Sequence, residues 1–164
     1  MIELVARYIL PAAYAVLPPQ MASPRATAFL LSVGLLESRF EHRAQVGGPA
    51  RGLWQFERSG VLGVLTHART DRLIGSALTA LCYDAHESPG AMLEWIEHND
   101  VLACVFARLL LYTDPRALPD IHDAERAWQM YLDLWRPGRP HHDRWFAHYA
   151  TAWGHVTTER TLNA

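Results

Sequence analysis

Glu37 stands at the end of an eleven-residue stretch, residues 26–36, that carries no charge and whose only polar side chains are Thr27 and Ser32. A surface helix would show a polar face, so this stretch reads as a helix buried on nearly all sides. A carboxyl group emerging from such a helix has apolar neighbours that disfavour its ionised form. Desolvation of that kind raises the pKa, as a group that donates and then accepts a proton near neutral pH requires. The competing explanation is a plain one: Glu37 is the first solvated residue beyond a core helix. Ser38 follows directly, but no His–Asp partnership makes it a nucleophile; it positions Glu37 or caps nearby backbone.

Downstream, residues 47–52 read Gly-Gly-Pro-Ala-Arg-Gly, a turn-rich segment that can bring backbone close to a ligand. It leads into Leu53, Trp54, Gln55 and Phe56, an aromatic and amide cluster suited to holding a sugar, with Gln55 eighteen residues beyond Glu37. In these two motifs the chain resembles the lysozyme-like superfamily, and within it the lytic transglycosylases of bacteria and phages. That family carries Glu-Ser at a helix end, Gly-Leu-Met-Gln about this far downstream, and a tyrosine motif on a later helix. Glu37-Ser38 matches the first motif and Gly52-Leu53-Trp54-Gln55 the second, with Trp54 in place of the usual Met. Tyr112, in Leu-Leu-Leu-Tyr, takes the third place, although the Asn-Ala-Gly that commonly follows the tyrosine is absent. The resemblance spans roughly residues 24–115.

The resemblance implies a mainly α, lysozyme-like single domain over residues 1–164, with a small loop or β region forming one wall of a cleft. It implies cleavage of the MurNAc–GlcNAc β-1,4 bond in peptidoglycan glycan strands, with Glu37 as general acid and base. Ser38, Gln55 and Tyr112 would contact or position substrate and Trp54 would form a cleft wall. No cofactor and no metal are implied. Glu57 decides between two chemistries. A transglycosylase uses one carboxyl group twice and ends its product in 1,6-anhydroMurNAc; a hydrolase commonly uses two carboxylates, here Glu37 and Glu57. Glu57 lies twenty residues after Glu37 and just beyond the Gln55 motif, so it could reach the cleft, and the family match favours Gln55. A third possibility is an inactive wall-binding or virion structural module that keeps the cleft, and a more distant one is a housekeeping α-helical protein of the cytoplasm.

The elements that must position these groups are helical. Residues 2–16 read as an N-terminal helix interrupted near Pro11, and Pro18-Pro19 ends it. Ser23 followed by Pro24 is an N-cap and first-turn pair for the helix that delivers Glu37. Periodicity vanishes between 41 and 60, marking the loop or β region. Asp71 then caps a helix carrying Ile74, Ala77, Leu78, Leu81, Cys82 and Ala85 at helical spacing. Ser88-Pro89 starts a short helix through Trp95. Asp100 begins another, stopped by Asp114-Pro115. Asp123 opens a helix with Ala127, Trp128, Tyr131 and Trp135, ended by Arg136-Pro137-Gly138, and a last one runs from about His142 to Val156. No strand pattern of more than a few residues, no repeat and no flexible linker divides the chain.

Composition narrows the function classes. The 164 residues suit one domain with a real core. The formal charge of −2, with no Lys among its fifteen cationic residues, leaves no footprint for nucleic acid. Six Trp and six Tyr are a surplus that suits sugar stacking, but Trp95, Trp128 and Trp135 are expected to pack. Nine His residues form no zinc spacing, and His141-His142-Asp143 at a helix start point in different directions. Cys82 and Cys104 read as small buried hydrophobes, with a disulfide not required. Arg39, Arg43 and Arg51 cluster about the expected cleft as solvated loop charges or as contacts to stem-peptide carboxylates. The apolar run in residues 9–17 lacks a basic flank and a cleavage site, and no run is long enough to span a bilayer. The expectation is therefore a monomer made without a signal peptide and without membrane insertion. The resemblance implies that it would reach the wall after release, as a phage lysin or virion component does.

Overall fold

The computed structural model describes the backbone of residues 1–162 and side chains as far as Thr158. Helix α3 (Pro24–Glu37) forms as its sequence dictates. Pro24 occupies the first turn, and the Ser23 hydroxyl accepts from the Ala26 N–H at 3.1 Å. Its side chains from Ala28 to Gly34 are all buried. The two polar residues of the stretch are satisfied locally: Ser32 donates to the Ala28 carbonyl, and Thr27 pairs with the Tyr14 hydroxyl. Charge-free sequence thus becomes a helix enclosed by the rest of the protein.

Ahead of it lie α1 (Ile2–Leu4), a π-helical segment (Val5–Ile9) and α2 (Leu10–Ala15), followed by a short 3₁₀ turn (Pro19–Met21). The interruption expected near Pro11 is this π segment. Pro11 has no N–H to give its helix, and the wider turn just before it absorbs the break without ending the rod.

After the cleft-forming loop come α4 (Arg58–Thr66), α5 (Asp71–Ala80), α6 (Pro89–His98), α7 (Asp100–Thr113), α8 (Ala124–Trp135) and α9 (His142–Leu162). Helix α4 has no counterpart in the sequence expectation. Its two glycines weaken the helical signal, and only Val61 and Val64, one turn apart, bury a face. Helix α5 stops at Ala80, short of the expected end at Ala85. Cys82 takes a left-handed conformation (φ 62) in a Schellman cap in which the Tyr83 N–H reaches the Leu78 carbonyl at 2.8 Å. Cys82 is consequently exposed rather than packed, Cys104 is buried, and both are free thiols. At α5 the cap falls one residue earlier than expected, on Thr70, whereas α7 begins at Asp100 as expected, with Asn99 as its cap. The Asn99 amide oxygen accepts from the Leu102 N–H, which leaves Asp100 available for an ion pair.

Buried side chains from α2 through α9 join one hydrophobic cluster. Helix α7, buried along residues 102–111, runs through it, and α3 packs most extensively along α9. Trp145 and Tyr149, one turn apart on α9, stack at 5.8 Å, and Trp145 meets Phe29 of α3 edge-on at 6.1 Å. The β content is limited, among the described residues, to two isolated bridges, Ala44 with Arg51 and Arg51 with Phe56. The protein is mainly α. No helix among the described residues is long and apolar enough to cross a membrane.

Candidate active site

Helix α3 ends at Glu37, and the chain then bends sharply. Arg39 and Phe40 both have positive φ, at 54 and 58, an uncommon conformation for residues with side chains. The bend drives Phe40 back into the core against Gly34, where any added Cβ would collide with the ring. Ser38 locks it. Its hydroxyl donates to the Leu53 carbonyl at 2.6 Å and accepts from the Phe40 N–H at 3.0 Å. The two sequence motifs are therefore joined by a buried hydrogen bond from the first to the second. Ser38 is 4% exposed and lines the cleft, with its hydroxyl committed to these backbone bonds.

The second motif turns on Gly52, whose φ of 74 and close approach to Ile96 exclude a side chain. Two arginines tie this loop to the helices. Arg43 makes a bidentate pair with Asp100 at 2.8 and 2.6 Å, and Arg51 pairs with Glu97 at 2.7 Å. These two of the three expected cleft arginines are structural; Arg39 alone of that set lines the cleft.

Trp54 departs from expectation. It is fully buried, donates its indole N–H to the Leu30 carbonyl at 2.8 Å, and meets Phe40 edge-on. A side chain this large, pointed inward between α3 and the loop, is core and forms no cleft wall. No strand forms at residues 55–57. Gln55 is left-handed (φ 50) and Glu57 is the N-cap residue of α4, so both line the cleft. The Gln55 amide nitrogen donates to the Gly52 carbonyl at 2.8 Å, which fixes the side chain. Glu57 makes no side-chain cap bond to α4.

The cleft itself has a volume of about 800 Å³, within the usual range for a ligand site. One wall is the segment from Glu37 to Gly63; the other is the end of α8 and the turn into α9, including Trp135. Trp135, expected only to pack, donates its indole N–H to the Trp54 carbonyl at 3.1 Å and so couples the two walls. Tyr112 does not line this space. It lies beneath the Arg69 guanidinium, 4.3 Å from the ring centroid, with Arg108 on the same ring at 5.7 Å. The tyrosine in the cleft is Tyr131 of α8, which donates to Glu37 Oε1 at 2.6 Å. In sequence Tyr131 looks like one more aromatic on a packing helix. Its partner is ninety-four residues away, and the only available hint was that a tyrosine on a later helix was wanted.

Burial sets the electrostatics of Glu37. Desolvation pushes its pKa from the ordinary 4.5 up to about 7, the hydrogen bond from Tyr131 opposes the rise, and the nearby charge of Glu57 adds to it. A carboxyl group so poised is half protonated at neutral pH and can both give and take a proton. The Tyr131 hydroxyl is itself driven upward by burial and by the Glu37 charge, so it remains a hydrogen-bond donor. No family model, curated protein or solved structure matches this chain. Among the described residues no group of three or more His, Cys, Asp or Glu side chains is placed to hold a metal ion.

Proposed function

We propose that the chain is a lysozyme-like enzyme that cleaves the MurNAc–GlcNAc β-1,4 bond of peptidoglycan, by the lytic transglycosylase route, in a phage lysis or virion system. The observation that carries this is Glu37: a carboxyl group with a pKa near 7, held by Tyr131 at the edge of an open cleft large enough for sugars. The motif pair Glu37-Ser38 and Gly52-Leu53-Trp54-Gln55 supports the same assignment, and the Ser38 bond to Leu53 gives the pairing a physical reason.

In this mechanism protonated Glu37 gives its proton to the glycosidic oxygen as the bond from C1 to that oxygen breaks. The resulting carboxylate then takes the proton of the MurNAc C6 hydroxyl while that oxygen attacks C1, closing the 1,6-anhydro ring and restoring the acid. Gln55, anchored at Gly52, holds the sugar, and Tyr131 keeps the Glu37 carboxyl in place. Tyr112 has no part in it.

A hydrolytic alternative is favoured by one observation: Glu57 shares the cleft and interacts electrostatically with Glu37. With water as the acceptor, Glu57 would act as base or nucleophile, and the products would carry reducing MurNAc ends. Mass spectrometry of purified murein digested with the protein tests both routes. Anhydro ends support the transglycosylase, reducing ends the hydrolase, and undigested murein sinks the enzymatic assignment in favour of a wall-binding module.

A further inference from the structure

Two sets of arginines in this protein contrast. Arg43, Arg51, Arg116 and Arg126 each hold a carboxylate at 2.7 Å or closer. Four others line the cleft and do not: Arg39 from the bend after α3, Arg136 and Arg139 from the turn between α8 and α9, and Arg144 from the first turn of α9. Arg39 and Arg139 have no ion pair or hydrogen bond among the described residues. Arg136 donates only to the backbone carbonyl of Asp133, at 3.2 Å. Arg144 has its nearest carboxylate, that of its neighbour Asp143, at 3.9 Å, the outer edge of an ion pair. Of the cleft carboxylates, Asp133 is already taken by Arg116 at 2.7 Å, and Glu41, two residues from Arg39, forms no ion pair with any of the four. Glu37 and Glu57 carry the chemistry on the wall that also holds Arg39.

The cluster is not a reflection of an overall basic protein, since the chain carries a net charge of −2. Nor does a neutral glycan call for four guanidiniums lining its cleft without a close carboxylate partner, because guanidinium groups match planar oxyanions, above all carboxylates, in bidentate geometry. Their field is felt within the fold. The His148 pKa is lowered, first by burial and then by the charges of Arg39 and Arg144.

We propose that Arg136, Arg139 and Arg144 on one wall of the cleft, with Arg39 on the other, form a carboxylate-recognition site, and that the preferred ligand is a glycan bearing free peptide carboxylates rather than a bare glycan. The proposal rests on the glycan-cleft assignment and adds to it a discriminating contact beside the sugar chain.

The test separates binding from cleavage. Binding of Glu37→Gln protein, which cannot turn over, is measured by calorimetry to uncross-linked murein strands with intact stem peptides. The same strands stripped of peptide by an amidase serve as the second probe. Peptide-bearing strands are expected to bind about fivefold more tightly, the size that partly exposed ion pairs support. Adding Arg139→Gln and Arg144→Gln should bring that ratio close to one, and Arg139→Lys with Arg144→Lys should restore much of it. Raising salt should shrink the ratio as well. Equal binding of both strands by the unmodified arginine site overturns the proposal, as does an equal fall on Arg72→Gln, outside the cleft. Cleavage of murein by the wild-type chain is scored separately. Cleavage with no peptide preference rejects the arginine site and leaves the enzymatic assignment standing. Arginine-dependent preference without cleavage does the reverse.

Discussion

Glu37→Gln removes a buried ionisable group while keeping the shape of the side chain and its ability to accept from Tyr131. Its effect on stability follows from the pKa. In the folded protein Glu37 titrates at about 7 instead of 4.5, so between those values the folded state holds a proton that the unfolded chain has released. Stability from this group is fully present below 4.5 and is lost as pH rises through 7. The shift corresponds to about 3 kcal/mol. The glutamine carries no charge to desolvate, so its advantage over wild type should grow by about that amount between about pH 4.5 and about pH 8. At the upper end this is a rise in Tm of roughly 6–12 °C for a chain of this size. Urea unfolding of both proteins across the pH range reads the difference directly. The same substitution should reduce lytic turnover at least about 10²-fold, since the amide has no proton to give. A more stable but inactive variant is the signature of a group strained for function. Parallel stability–pH curves for the two proteins would refute burial as the source of the perturbed carboxyl group, whatever happens to activity.

Tyr131→Phe should raise the Glu37 pKa further, because the lost hydrogen bond favoured the carboxylate, and should move the alkaline limb of the pH–rate profile up by about one unit. Tyr112→Phe should leave kcat, KM and that profile unchanged, since its ring packs under Arg69 outside the cleft; a shifted profile would return Tyr112 to the site. Glu57→Gln removes a charge that raises the Glu37 pKa, so the alkaline limb should move down; retained activity with anhydro products supports the transglycosylase, and inactivity with reducing ends in the wild-type digest supports the hydrolase. Gly52→Ala should destabilise the fold by about 1–3 kcal/mol in urea titration, because the added carbon meets Ile96 at a positive φ; an unchanged midpoint would show that the loop can move aside.

By itself the sequence determined what local chemistry can determine. A charge-free run behind a Ser-Pro cap pointed to a buried helix, and it left a glutamate at its end either desolvated or the first solvated residue beyond it; the fold decided for desolvation. Proline pairs and the Ser88-Pro89 start marked further boundaries for the same reason, that backbone donors and φ angles are local properties. What the tertiary structure decided were pairings over long separations and backbone conformations that no period reveals. Tyr131 meets Glu37 only because α8 lies across the end of α3. Trp54 faces the core while Gln55 and Glu57 share the cleft because the chain there folds through a left-handed residue into the start of a helix. Arg43 and Arg51 are consumed by acids more than forty residues away, while Arg39 is left facing the cleft. Residue type and spacing show which groups can do chemistry, and packing between distant segments chooses which of them meet.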